Sequence, residues 1–147
     1  MSAIINDTKF KKDMKHYFPP EYRKIKPENY RPDLCFIKEN DEVVVLELEN
    51  KSDRKPYVGA LLEACCFAEE NEYKLLKLYF IMCEKGSQIN VSQMHKYLLP
   101  YVEWLKMKMD GRLSLVVCCI SQKDYKKMNQ KALCVLNATA SECKEVK

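Results

Sequence analysis

Apolar positions along the chain follow two different periods. Val43, Val44, Val45, Leu46 and Leu48 form a β-branched stretch that predicts a strand over 43–48. The shorter run Leu34 to Ile37 predicts a strand before it, and "KEND" supplies turn chemistry between the two, giving an antiparallel hairpin. "LLKLYFIMC" (Leu75 to Cys83) and "LSLVVCCI" (Leu113 to Ile120) are nearly continuous apolar runs, as expected of strands covered on both faces. Elsewhere the period is helical. Phe10, Met14 and Tyr17 mark a helix of about ten residues, capped by Asn6 or Asp7 and stopped by Pro19 and Pro20.

A second helix is expected from about Arg54 to Glu72, capped by Asp53, with Pro56 in its first turn. Its buried stripe would be Val58, Leu61, Leu62, Cys65 and Phe67–Ala68, and Gly59 would let it approach the sheet closely. Val91, Met94, Leu98, Tyr101, Val102, Leu105 and Met109 mark a long third helix. Pro100 predicts a kink or break in it, and Gly111 closes it. Ser121 with Asp124 resembles a capping box for a short basic helix. Ala132 to Leu136 would be a last edge strand, and the tail after about residue 138 is expected to be loose. The order helix, strand, strand, helix, strand, helix, strand, helix predicts an α/β fold. Its central sheet is mixed, with an antiparallel hairpin, later strands parallel, and helices flanking both faces.

Composition agrees with one domain over residues 1–147. Apolar residues make up 47% and charged residues 31%, an ordinary globular balance. No apolar run reaches the roughly 18 residues of a membrane helix. The N-terminus "MSAIINDTKFKK" lacks a basic-then-apolar signal layout, so an intracellular, cytoplasmic protein is expected. The eight cysteines form no CxxC pair, which argues against zinc and for reduced, buried thiols. Net charge is only +4, but it is uneven. Between Lys9 and Arg31 lie Lys11, Lys12, Lys15, Arg23, Lys24 and Lys26, interleaved with Tyr17, Phe18, Tyr22 and Tyr30. Cations among aromatic rings suit phosphates and bases, and they equally suit a solvated lysine-rich surface.

The second hairpin strand carries the chemistry. Val43, Val45, Glu47, Glu49 and Lys51 share one face, because side chains alternate along a strand. Valines at its start make that face buried, so the carboxylates must lie where the sheet opens to solvent. If the hairpin turns near Asn40–Asp41, paired residue numbers sum to about 80–82. Asp33 then lies across from Glu47 or Glu49, whereas an odd sum would put it on the other face. Three carboxylates on one rim repel unless a cation holds them, and hard oxygen donors favour Mg²⁺ or Mn²⁺. Lys51 beside them could orient a water or stabilise developing negative charge.

The arrangement "RPD" (Arg31 to Asp33), a hairpin, "VVVLELENK" and a helix resembles the PD-(D/E)XK nuclease superfamily. That family includes type II restriction endonucleases, archaeal Holliday-junction resolvases and many phage or viral nucleases. The element order resembles it from about Asn6 to Ile120, and the specific residues lie between Pro32 and Lys51. The resemblance implies a restriction-endonuclease-like fold and a Mg²⁺- or Mn²⁺-dependent nuclease. It implies Asp33 as a metal ligand, followed by either Glu49 with Lys51 ("ENK") or Glu47 with Glu49 ("ELE", a family variant without the lysine). The expected activity is hydrolysis of DNA, with RNA left open and endonuclease action expected over exonuclease action. Asp33, Glu47 and Glu49 would hold metal, and Lys51 would assist. Lys11, Lys12, Lys15, Arg23, Lys24 and Arg31 would grip phosphates, with Lys123, Lys126 and Lys127 as further candidates. A chain this short would cut both strands as a homodimer. The other function carried forward is a non-catalytic nucleic-acid-binding or interaction module on the same fold.

Overall fold

The computed structural model describes residues 21–39, 41–49, 53–82, 90–121 and 142–145. The expected N-terminal helix, Lys11, Lys12, Lys15, Lys51, the basic helix after Ser121 with Lys123, Lys126 and Lys127, and the strand at Ala132–Leu136 all lie outside these residues.

Among the described residues six strands form one sheet: β1 (Arg23–Lys24), β2 (Leu34–Lys38), β3 (Glu42–Glu49), β4 (Leu75–Met82), β5 (Ser114–Ser121) and β6 (Glu142–Glu145). They lie side by side in chain order. β1–β2 and β2–β3 are antiparallel, and β3–β4, β4–β5 and β5–β6 are parallel. The fold is therefore α/β with a mixed sheet, as the alternation of apolar runs and helical periods implied.

Helix α1 (Lys55–Glu70) joins β3 to β4, and α2 (Val91–Met109) lies between β4 and β5. Right-handed crossovers that advance in one direction across a sheet put their helices on the same face. One core cluster accordingly joins Cys35, Val45, Leu78, Phe80 and Val117 of the sheet to Tyr57, Leu61 and Ala68 of α1 and Met94, Leu98 and Val102 of α2. The opposite face buries Leu34, Phe36, Val44, Leu46, Tyr79, Ile81, Val116 and Ile120 with Tyr22. Neither described helix packs there, so helices on both faces are not seen among the described residues.

Several local expectations are revised. The basic segment between Pro20 and Arg31, for which no strand is expected, contains β1, whose Arg23 and Lys24 pair with Ile37 and Phe36. The tail expected to be loose contains β6, which adds a parallel edge beside Val116–Cys119. Both are short polar strands that gain backbone pairing without an apolar pattern. Leu62 and Tyr101, assigned to buried helix stripes, are exposed. Gly59 is not a close approach, since a Cβ there would meet nothing within 4 Å. Pro100 does not break α2, which runs through it to Met109. At its end Asp110 takes the left-handed conformation (φ 46°) and Gly111 follows at φ 79°.

Caps were only half anticipated. The carboxylate of Asp53 accepts the Lys55 N–H at 3.2 Å, just outside the start of α1. α2 opens on a full capping box that the sequence reading passed over. Asn90 Oδ1 accepts from Gln93 N at 2.9 Å, and Gln93 Oε1 accepts from Asn90 N at 3.1 Å.

Among the described residues no helix is long and apolar enough to cross a membrane. Cys35, Cys65, Cys118 and Cys119 are buried and in no disulfide, whereas Cys66 is exposed with its thiol donating to Glu70. Burial pushes the Cys35 and Cys65 thiols up to about 12. They pack as small apolar side chains.

Candidate functional site

The hairpin register fixes the geometry. Leu34 pairs with Leu46 and Cys35 with Val45, so paired numbers sum to 80. One more step sets Asp33 across from Glu47. The two residues are locked together there. The Asp33 N–H donates to Glu47 Oε1 at 2.9 Å, and the Leu48 N–H donates to Asp33 Oδ2 at 2.8 Å. Each carboxylate thus finishes the backbone ladder of the other strand where regular pairing stops. By alternation Asp33, Glu47 and Glu49 share the face of Cys35 and Val45, the face that both helices cover.

β3, β4 and β5 run in parallel, so this rim lies at the carboxyl end of the sheet. There Glu47 pairs with Phe80 and Glu49 with Met82. Open α/β sheets bind ligands outside the carboxyl ends of their strands. Arg54 and the start of α1 follow β3 by a few residues, which brings them to the same end.

The electrostatics are those of a crowded carboxylate. Burial raises the Glu47 carboxyl to about 7, against the Asp33 N–H bond that favours its charged form. Negative charge on Asp33, Glu49 and Glu63 adds to the rise. Glu63 reaches this field from α1, and the sequence reading did not include it. Tyr30 was missed as well. Its ring stacks on Phe67 at 4.9 Å. Its hydroxyl is buried without a hydrogen-bond partner. Burial first, then Glu47, pushes its ionisation far above the ordinary tyrosine range. The sequence marks it as one of the rings interleaved with the basic residues, just ahead of "RPD", and an aromatic residue in a basic stretch has many simpler explanations.

Cavities on this side involve the same segment. A cavity of about 420 Å³ is lined by Lys24, Lys26, Arg31 and Asp33, among others of the segment 24–35. The structure thus brings Lys24 and Arg31 to the hollow that Asp33 borders. Arg23 is an exposed residue of the edge strand β1 and does not line it.

A second polar cluster lies on the other face, at the opposite end of β3. Lys77 Nζ is 3.2 Å from Glu42 Oε2. The Tyr22 hydroxyl donates to the same oxygen in a short bond. The run "LLKLYFIMC" hides this lysine, which is buried by pairing and not by being apolar.

Among the described residues no three His, Cys, Asp or Glu side chains converge into a group that could hold a metal ion. Asp33 and Glu47 are joined as a pair, and Glu49 follows on the same face. No protein-family model, curated protein or solved structure matches this chain.

Proposed function

We propose that the chain is a divalent-metal-dependent nuclease that hydrolyses phosphodiester bonds in DNA, on a restriction-endonuclease-like arrangement of the PD-(D/E)XK kind. The observation that carries the reading is the Asp33–Glu47 pair. Two carboxylates, Asp33 just before β2 and Glu47 on β3, are braced by backbone N–H groups of the facing segment at the carboxyl rim of the sheet, and the Glu47 carboxyl is raised to about 7.

The donor set fits Mg²⁺ or Mn²⁺ by type: hard carboxylate oxygens, with Glu49 as the third ligand to be drawn in. When bound, such an ion polarises the phosphoryl oxygen and lowers the pKa of the attacking water. The protein's own part is positional. The Asp33 N–H and Leu48 N–H bonds hold the two carboxylates at a fixed spacing across the hairpin. Lys24, Lys26 and Arg31 ring the hollow beside Asp33, where backbone phosphates would be held. Lys51 follows Glu49 by two residues and would orient water or stabilise the leaving oxygen. A homodimer would let so short a chain cut both strands.

The separation of Glu49 from a closed three-carboxylate group favours one rival, a nucleic-acid-binding module without catalysis. Incubation of the purified chain with plasmid, linear and branched DNA, with Mn²⁺ or with EDTA, separates the two. Cleavage in Mn²⁺ alone, lost in Asp33→Ala with folding intact, supports the nuclease. Intact DNA in every condition supports the binding module.

A further inference from the structure

α2 carries a line of aromatic rings on its outer side. Tyr97, Tyr101 and Trp104 recur at spacings of four and three, so they share one stripe. The stripe flanks the buried line Met94, Leu98, Val102 and Leu105, and Tyr97, at its start, is half-buried against that core. Tyr101 is 40% exposed and Trp104 53% exposed. The Tyr97 and Tyr101 rings lie 5.5 Å apart. Cations stand at both ends: the Arg54 guanidinium is 4.8 Å from the Tyr97 ring centre, and the Lys108 ammonium is 5.5 Å from that of Trp104. Glu103, the one acidic residue of α2, falls at least about 100° around the helix from these rings.

The stripe also has a definite origin. Arg54 stands just before α1, at the carboxyl rim where β3 ends. α2 begins at the same end of the sheet, and Tyr97 is in its second turn. From there the stripe runs roughly 10 Å along α2, at about 1.5 Å per residue.

Two exposed rings, Tyr101 and Trp104, continuing from a half-buried Tyr97 between cations, suit a polyanion with flat faces. An unpaired nucleic-acid strand offers both, bases for the rings and phosphates for Arg54 and Lys108. A duplex hides its base faces in its own stack. A second copy of the chain fits less well. A two-fold contact along this stripe sets one copy's Arg54 against the other's Lys108, like charge on like.

We propose that Tyr97, Tyr101 and Trp104 form a stacking platform for an unpaired strand of nucleic acid that passes Arg54 at the acidic rim. Its role as a substrate track, selecting nucleic acid with a single-stranded segment at the cut, rests on the nuclease reading. The stacking itself does not.

Trp104 is the only tryptophan in the chain, so its fluorescence reports directly on stacking. The full chain is titrated in EDTA with a dT oligonucleotide, a rU oligonucleotide and a blunt duplex. Quenching by a single strand and none by the duplex is expected. Quenching by dT alone marks a DNA strand, by rU alone an RNA strand, and either upholds the platform. By anisotropy of a labelled strand, Tyr101→Ala and Trp104→Ala should each weaken binding about tenfold, within the range for one lost base stack, while Trp104→Phe holds it. Unquenched Trp104 overturns the proposal. So does unchanged binding in both alanine variants, or stripe substitutions that only convert a dimer to a monomer. EDTA separates this test from catalysis: stacking without Mn²⁺-dependent cleavage removes the nuclease and leaves the platform, and cleavage with unquenched Trp104 does the reverse.

Discussion

Glu47 sets the residue-scale behaviour. Its carboxyl is raised from 4.5 to about 7, so the folded protein keeps a proton that the unfolded chain releases between those values. Stability from this group is full below about pH 4.5 and is lost as pH rises through 7. Glu47→Gln keeps an oxygen for the Asp33 N–H and removes the charge. Denaturant unfolding should find it more stable than the parent by roughly 2–3 kcal/mol at pH 8, with the gap closing near pH 4.5. A gap that does not change with pH would show the carboxyl titrates normally. The same substitution decides between the two working pairs. β3 ends at Glu49, and it is the Glu47 carboxylate that accepts from the Asp33 N–H. Glu47→Gln should therefore be nearly inactive, while Lys51→Ala loses about tenfold in rate, roughly 1.4 kcal/mol of barrier. An active Glu47→Gln beside an inactive Lys51→Ala would assign the work to Glu49 and Lys51.

At the scale of elements, two helix positions test the packing. Gly59 sits in α1 with open space where a Cβ would go. Gly59→Ala should stabilise by about 0.5–1 kcal/mol in thermal or denaturant unfolding, since the helix gains propensity and displaces nothing. Asn90→Ala removes the α2 cap and should cost about 0.5–2 kcal/mol. The elements legible in the sequence were those with a strong period. Val43–Leu48, Leu75–Met82 and Leu113–Ile120 are dense apolar runs, and the hairpin sum of 80 lies within the 80–82 that a turn near Asn40–Asp41 allows. That range left Asp33 opposite Glu47 or Glu49, and only the register chooses Glu47. β1 and β6 were not, because "RK" and "ECKE" join the sheet through backbone groups that every sequence carries. Lys77 does not stand out within its apolar run, since its partner Glu42 meets it only after β3 and β4 align. Tyr101 was read as buried because it adjoins the apolar period of α2, and a helical pattern does not define the edge of its own stripe.

For the whole molecule, the charge distribution matters more than its +4 total. If the Lys9–Arg31 segment positions the nucleic-acid backbone, replacing Lys11, Lys12 and Lys15 with Ala should weaken binding to all sequences alike. Each lost phosphate contact should flatten the log-affinity against log-salt slope by roughly 0.7–0.9. An unchanged slope would place the phosphate contacts elsewhere. Lys24, Lys26 and Arg31 around the hollow beside Asp33 are where they would then be sought. The central claim is that the acidic rim exists to hold a divalent cation. Calorimetric titration of Mn²⁺ into the parent chain and into Glu47→Gln at pH 8 tests it most directly. We expect one site in the parent, weakened at least tenfold in the variant; absent binding in the parent, or equal affinity in both, would contradict it.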